Sequence, residues 1–272
     1  MTDAPVLGVS SSATGRRWRL RAGDPDLARE IERQLELSGV VAGVLAARVG
    51  SLAEAELYLS PRLRDALPDP SHLLDMDRAI ARVAAALNAG EKIAIFADYD
   101  VDGATSGALL RRIFRGLGAE PLIYVPDRER EGYGPNTGAM QSLSDQGASL
   151  VITVDCGTTA FEAINAANAL GLEVIILDHH VGADETPNAL AVVNPNRADE
   201  TSPHQQLAAV GVCFLFAIGL NRSLRAAGKP EVDLMALLDL VALGTVADVA
   251  SLTGVNRALV AQGLKVMTAR RN

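Results

Sequence analysis

The sequence predicts an α/β protein: a doubly wound, mainly parallel sheet with flanking helices, preceded by a small helical N-terminal segment. Three observations predict it. Short apolar runs of strand length alternate with stretches of helix composition after Gly90. Gly118, Gly147 and Gly171 each follow one of those stretches, where helix C-caps belong. Before Gly90 the apolar residues recur at helical spacing instead.

Taken in order, residues 1 to 24 carry Ser10-Ser11-Ser12 and the basic stretch Gly15-Arg16-Arg17-Trp18-Arg19 without a clear period, and are expected to form a loosely packed arm. Leu27, Ile31, Leu35, Val44, Leu45, Leu52 and Leu57 then mark a helical prelude from Asp26 to about Leu59. Pro61, Pro68 and Pro70 interrupt it, and a helix from Met76 to Leu87 stops at Asn88-Ala89-Gly90. Ile93 to Ala97, Pro121 to Val125, Leu150 to Val154 and Glu173 to Leu177 have the continuous apolar character of buried parallel strands. Ala104 to Leu117, Thr137 to Gln146 and Ala160 to Leu170 are the helices between and after them. Two long apolar helices, Leu207 to Ala226 and Leu234 to Leu243, are expected beside the sheet. The organisation expected is an arm and prelude over 1–75 and one α/β domain over 76–272.

Composition narrows the function classes. With 49% hydrophobic and 21% charged residues among 272, global disorder is excluded. Two cysteines, Cys156 and Cys213, both in apolar segments, exclude a disulfide framework or a thiolate zinc site and suggest a reducing, cytoplasmic setting. No apolar run is expected to span a bilayer, and the N-terminus has no signal-peptide pattern. The net charge of −8 argues against nucleic acid only at first sight. Carboxylates that converge on metal ions lower the formal sum while the loaded site attracts phosphate.

Open α/β sheets bind ligands beyond the carboxyl ends of their strands. Three strands here lead into acidic or imidazole groups: Asp98-Tyr99-Asp100-Val101-Asp102-Gly103, Asp155-Cys156-Gly157, and Asp178-His179-His180. Two unit charges about 4 Å apart repel by about 4 kcal/mol at an effective dielectric near 20, so convergence without a cation is costly. Oxygen and imidazole donors without thiolates suit Mn²⁺ or Mg²⁺, and histidine keeps zinc open. Asp248 ends a very apolar helical run, where an uncompensated charge is expensive. Blander readings exist for each: Asp102-Gly103 as a helix N-cap, Asp155 with Gly157-Thr158-Thr159 as a cap and turn, and Asp248 as a surface acid. An EF-hand is disfavoured because an apolar helix follows the Asp-Tyr-Asp-Val-Asp-Gly start.

Together Asp98-Tyr99-Asp100-Val101-Asp102-Gly103, Val154-Asp155-Cys156-Gly157, Asp178-His179-His180 and Gly244-Thr245-Val246-Ala247-Asp248 closely resemble the ordered motifs of the DHH phosphoesterase superfamily, in particular its branch of single-strand-specific 5′-to-3′ DNA exonucleases. Supporting stretches are Pro126-Asp127-Arg128 with Glu131-Gly132-Tyr133-Gly134, Asn194-Pro195-Asn196 and Ala209-Val210-Gly211-Val212. The likeness covers roughly residues 70 to 270. It implies metal-dependent phosphodiester hydrolysis of single-stranded DNA in DNA repair and recombination, with two Mn²⁺ ions, or Mg²⁺, as cofactor.

The resemblance also implies roles. Asp100 and Asp155 would hold one ion, and Asp102, Asp155, His179 and Asp248 the other, with Asp155 bridging. His180 would face the scissile phosphate, Asp178 would orient the histidines, Asp98 would contribute directly or through water, and Arg128 would clamp phosphate. Cys156 stands where relatives commonly carry Asn. The superfamily continues past the last motif into a second substrate-binding domain, and this branch into an oligonucleotide-binding module; with Asn272 soon after the last motif, those parts are expected to be absent. Possible partners are a helicase or a single-strand-binding protein. The alternatives are an oligonucleotide or nucleotide phosphatase, a pyrophosphatase, or an inactive scaffold.

Overall fold

The computed structural model describes residues 4–270. The chain divides into two compact units, Met1–Arg62 and Leu63–Asn272.

The first unit holds α1 (Pro25–Gln34), α2 (Gly39–Ala46) and α3 (Leu52–Leu59). Each start is capped: Asp24 accepts from the Asp26 amide, Ser38 from that of Val41, and Ser51 from that of Glu54. The helices close around Leu27, Ile31, Ala42, Leu45, Ala46 and Ala55. Ahead of them the arm makes one short helical turn, Val6–Gly8, and the Val6 amide donates to the Trp18 carbonyl at 3.0 Å. From Arg17 to Asp24 it is neither helix nor strand.

The second unit begins with α4 (Leu63–Ala66) and α5 (Met76–Ala89), which stops at Gly90 in the left-handed conformation. Leu63 and Leu73, on the prelude side of the expected division at 75/76, are buried with Met76, Ala79 and Val83. Then follow β1 (Ile93–Ala97), α6 (Val101–Gly116), β2 (Leu122–Tyr124), α7 (Thr137–Asp145), β3 (Leu150–Val154), α8 (Phe161–Ala169), β4 (Glu173–Leu177), β5 (Ala191–Val193), α9 (Ala209–Ala226), α10 (Leu238–Ala247) and α11 (Gly254–Thr268). The five strands form one parallel sheet in the order β2-β1-β3-β4-β5.

Strand periodicity divides the core. Ile93, Ile95, Ala97, Ile152, Val154, Ile175 and Leu177 face a layer built from α5, α6 and α9, while Ala94, Phe96, Val151, Val174 and Ile176 face α7 and α8. The doubly wound arrangement follows directly, because strands apolar on both faces need helices on both.

Several expectations need correction. The second strand is shorter than Pro121–Val125, since β2 lies at the sheet edge with Ile123 exposed. The edge strand β5 and helix α11 were not anticipated. The helix expected from Ala104 starts at Val101, which puts Asp102 in its first turn. The run from Leu234 opens as a single tight turn, Leu234–Leu237, before α10 continues to Ala247. Helix α9 is long and apolar enough to cross a membrane by length and composition, against expectation, but Val212 to Ala217 are all buried within the protein.

Candidate metal centre

Register brings the acids together. Ala97 pairs with Val154 and Val154 with Leu177, so the next residues, Asp98, Asp155 and Asp178, leave the sheet side by side. Each extends the ladder by one bond: the Asp98 amide donates to Val154 O, that of Asp155 to Leu177 O, and that of Asp178 to Val193 O. Beyond this step Asp155 turns into the left-handed region at φ 61°, which costs about 1 to 2 kcal/mol in a non-glycine residue and is held by the surrounding fold. At Gly157 a side chain would meet Thr153 Oγ1 at 2.7 Å, so the turn tolerates only glycine there.

Three groups of donors result, each with one atom per residue and all atoms within 4.8 Å of one another: Asp98, Asp100 and Asp155; Asp155, His179 and His180; Asp102, His179 and Asp248. Asp155 and His179 each belong to two groups and thereby link all three. The second ion site implied by the resemblance would add Asp155 to Asp102, His179 and Asp248; in the structure His179 joins them, its Nε2 lying 3.3 Å from Asp155 Oδ1 and 3.9 Å from Asp102 Oδ2. Asp178 and Arg128 stand outside these groups. Arg128 is exposed, its guanidinium 5.4 Å from the centre of the Tyr99 ring.

The surrounding chain orients each donor. Asp100 is the N-cap of α6, its Oδ1 accepting from the Gly103 amide at 3.0 Å, so the helix-cap reading offered for Asp102 falls on Asp100. Buried Asp102 accepts from the amides of Ala209 and Val210 at 2.7 and 2.9 Å, at the N-terminus of α9 where the helix dipole favours an anion. His179 Nδ1 lies 3.1 Å from the Leu207 carbonyl, which can only accept, so the neutral ring carries its proton on Nδ1 and presents the Nε2 lone pair to the cluster. Asp178 accepts from Thr158 Oγ1 at 2.6 Å, from the amides of Thr158, His179 and His180, and from His180 Nδ1 at 2.8 Å. Asn194 and Asn196 donate to the carbonyls of His180 and His179 respectively. Tyr133 closes the rim, its hydroxyl donating to the Asp155 carbonyl and lying 3.3 Å from His180 Nδ1.

One residue outside every motif ties two of these supports together. Fully buried Asn256 on α11 donates from Nδ2 to Gln206 O and Ser251 O. Gln206 precedes the carbonyl that orients His179, and Ser251 ends the turn after Asp248. Neither Asn256 nor Thr158 was singled out as a ligand support from sequence, because nothing in local spacing marks a hydrogen bond to a distant carbonyl or acid. A Thr-Asn helix start at Thr253 to Asn256 was the only available signal for the former.

The electrostatics fit a cation. Asp98 Oδ1 is buried without a hydrogen-bond partner, and the buried Asp155 Oδ1 and His179 Nε2 lie 3.3 Å apart without a well-formed hydrogen bond, although buried polar atoms are ordinarily satisfied. Burial pushes the carboxyls of Asp98, Asp102, Asp155 and Asp248 upward, and neighbouring carboxylates push the same way. For His179 burial acts downward, but Asp155, Asp248 and Asp102 prevail and raise it. Asp178 behaves oppositely: burial would raise it, yet the bonds from His180 and Thr158 bring it to about 2. The donor set is oxygen and imidazole, which suits hard or borderline divalent ions.

A parallel α/β domain that gathers carboxylates and imidazoles at the carboxyl ends of three adjacent strands defines a class of metal-site proteins. The chain belongs to the DHH family: the description "DHH family, N-terminal domain" matches residues 92–245. It is 39% identical over 254 residues to the single-stranded-DNA-specific exonuclease RecJ of Bacillus subtilis, covering 93% of this chain and 31% of that protein. Against the Escherichia coli protein of the same name it is 39% identical over 199 residues, covering 71% and 34%. Among solved structures it resembles RecJ in complex with Mn²⁺ from Thermus thermophilus, at 31% identity and a TM-score of 0.70, over 91% of this chain and 34% of that one. A second, exonuclease RecJ bound to manganese, has 36% identity and a TM-score of 0.64, over 74% and 49%. The chain thus spans about a third of the length of these curated relatives.

Proposed function

We propose that this chain is the catalytic core of a metal-dependent nuclease that hydrolyses phosphodiester bonds of single-stranded DNA from the 5′ end, in repair and recombination. The observation that carries the proposal is the linkage of three donor groups through Asp155 and His179, whose buried inward atoms Oδ1 and Nε2 lie 3.3 Å apart without a well-formed hydrogen bond. Relatives named as single-stranded-DNA-specific exonucleases, and RecJ structures in complex with Mn²⁺ and with Mg²⁺, support it. The residues fit two divalent ions, Mn²⁺ first and Mg²⁺ second: Asp98, Asp100 and Asp155 on one side, Asp102, His179 and Asp248 on the other, with Asp155 between. Bound there, such ions supply Lewis-acid activation of water and neutralise charge on the attacking and leaving oxygens.

The chain's own residues do the remainder. His180 commits Nδ1 to Asp178, which leaves Nε2 as the donor for a phosphate oxygen, and the bond to Asp178 shifts the ring's titration upward, toward its protonated form. Asp178 sets both histidines through their backbone amides. Tyr133 packs edge-on against the His180 ring at 5.7 Å between centres and shields one side of it. Arg128, exposed above Tyr99, is the cation nearest in character to a phosphate clamp. Two free buried cysteines suit a reducing, cytoplasmic setting, and a helicase or single-strand-binding protein is the partner class that would present such a substrate.

The test compares release of mononucleotides from 5′-phosphorylated single-stranded DNA with hydrolysis of pyrophosphate and of dinucleotides, in Mn²⁺. Preference for the DNA is expected. Hydrolysis of pyrophosphate alone would sink the proposal.

A further inference from the structure

Between Tyr124, which ends β2, and Thr137, which opens α7, the chain is neither helix nor strand. Such a loop stays compact when its own side chains close it. Glu131 closes this one. Its Oε1 accepts from the Asp127 amide at 2.8 Å, and its Oε2 from the Tyr124 hydroxyl at 2.6 Å and from Asn136 Nδ2 at 3.2 Å. Asp127 stands near the start of the loop, and Asn136 at its end is the N-cap of α7. Tyr124 stacks on Phe96 of β1 with ring centres 5.3 Å apart. One carboxylate thus ties both ends of the loop to the sheet and to a helix. The Asp127 amide, and then the Tyr124 hydroxyl, hold the Glu131 carboxyl below its usual range, and the same bond pushes the Tyr124 hydroxyl up to about 12.

The loop carries two exposed side chains to the rim of the metal groups. Arg128 lies over the Tyr99 ring, beside the Asp98 to Asp100 segment, and Tyr133, 52% exposed, lies beside His180. Tyr133 is turned toward the site by left-handed glycines on both sides, Gly132 at φ 81° and Gly134 at φ 77°. Gly134 is buried against Cys156, whose Cβ is 3.9 Å from where a side chain would begin. The contacts of these two side chains with the site are long: 5.4 Å from the guanidinium to the ring centre, and 3.2 and 3.3 Å from the Tyr133 hydroxyl to Asp155 O and His180 Nδ1. The placement of the loop therefore rests on the shorter bonds of Glu131. A cation and a half-exposed ring flanking the metal donors match one nucleotide of a single strand, the guanidinium taking a phosphate and the ring packing on the adjoining base. His180 is held separately by Asp178, and none of the three donor groups includes a residue of the loop. Displacing the loop leaves the metal donors and His180 in place while it moves the two groups that meet substrate.

We propose that Glu131 is a positioning residue for substrate: it clasps the loop so that Arg128 and Tyr133 stand ready to receive a nucleotide beside the metal groups. The inference rests on the nuclease reading for the identity of the substrate, while the clasp itself needs neither metal nor hydrolysis.

The test compares the whole parent chain with Glu131→Ala and Glu131→Gln. Glutamine keeps an oxygen for the Asp127 amide but sets its NH₂ group against Asn136 Nδ2, so one of the three bonds is lost. With a 5′-phosphorylated thymidine oligomer in Mn²⁺, KM should rise at least about tenfold in Glu131→Ala and about threefold in Glu131→Gln. Because contacts made equally with substrate and transition state act on KM, kcat should stay within about twofold of the parent. Calorimetric Mn²⁺ affinity should be unchanged in both variants. Unchanged KM in a folded Glu131→Ala chain, a fall in kcat alone, or a loss of Mn²⁺ affinity as large as the rise in KM would each overturn the proposal. Should Glu131→Ala fail to fold, Tyr124→Phe, which removes one hydroxyl and keeps the stack on Phe96, takes its place; about a threefold rise in KM is expected and none would overturn the clasp. Trypsin separates the clasp from the nuclease reading. Arg128 and Arg130 are exposed in the loop. Cleavage after them in the metal-free chain, followed by mass spectrometry, should accelerate at least about tenfold in Glu131→Ala, and equal rates would overturn the clasp. A parent chain that cleaves nothing in Mn²⁺ would remove the nuclease proposal and leave the trypsin comparison to decide the clasp.

Discussion

The two ends of the same three strands treat acidic residues in opposite ways. At the amino ends, Glu91 precedes β1, Ser149 precedes β3 and Glu173 opens β4; Arg82 from α5 binds both glutamates at 2.6 Å, and Ser149 adds a hydrogen bond to Glu91. Arg82 and then Ser149 hold the Glu91 carboxyl below its ordinary range. At the carboxyl ends, Asp98 and Asp155 meet no arginine or lysine among the described residues, and burial raises both. The sheet, then, does not simply tolerate buried acids. Where it supplies a cation the acids are paired and structural, and where it supplies none they are left without such a partner. Asp178 shows the intermediate case, its carboxylate satisfied by His180 and Thr158.

The most severe way to break this contrast is Asp155→Ala. Loss of the shared donor should reduce Mn²⁺-dependent hydrolysis roughly a thousandfold, the several kcal/mol that metal chemistry supplies. Calorimetric titration with Mn²⁺ should show binding to the parent and little to the variant; equal heats would exclude Asp155 as a shared ligand. Next in size, Asn256→Ala should weaken Mn²⁺ binding by about 10- to 100-fold, as expected of a group that acts through the ligands it orients, and Asn256→Asp, with no amide donor, should not rescue it. Unchanged Mn²⁺ affinity in a folded Asn256→Ala chain would confine that residue to packing.

Arg82→Ala tests the other end. Removing the cation from half-exposed glutamates should cost about 1 to 2 kcal/mol of stability in denaturant unfolding and leave the Mn²⁺ titration unchanged. A changed Mn²⁺ affinity would mean that the two ends are coupled through the strands. The smallest effect is on pH dependence. Without metal, Asp102 and Asp155 bind protons more tightly folded than unfolded, so the folded state loses stability as pH rises from their unfolded values through the raised folded ones. His179 has the same sign: its contribution is complete below the unfolded value near 6.5 and is lost above it as pH passes through the raised folded value. The melting temperature of the metal-free chain should therefore fall between about pH 6 and 9, and saturating Mn²⁺ should abolish or reverse the slope, because deprotonated ligands are the ones that bind. Asp178 acts in a separate window, its contribution present above about pH 4 and lost as pH falls toward 2.

Much of the fold was legible from periodicity. β1, β3 and β4 appear where nearly continuous apolar runs predict them, because a strand buried on both faces has few polar positions to obscure it. β5 was missed: three residues behind a loop rich in polar residues carry too little pattern to stand out. α11 was missed although Val255, Ala258, Leu259 and Val260 face the core, since its close packing on α10, where a side chain at Gly263 would reach Leu238 O at 2.2 Å, is invisible in a linear pattern. In the site, Asp98, Asp100, Asp102, Asp155, His179, His180 and Asp248 were all conspicuous as acids and imidazoles at element ends, and the structure gathers all seven. Arg128 was conspicuous by motif and stands apart from the groups.

By itself the sequence determined which donors exist and that they would emerge together, since parallel strands in register place the residues that follow them along one edge. Which atom of each donor faces inward was decided only in three dimensions. The Leu207 carbonyl selects His179 Nε2, the Ala209 and Val210 amides hold Asp102, and Asn256 braces both the Gln206 and Ser251 segments. These bonds join residues as far as 108 positions apart, a separation at which side-chain spacing carries no information and only the packing of α9 on the sheet and of α11 on α10 brings the groups into reach.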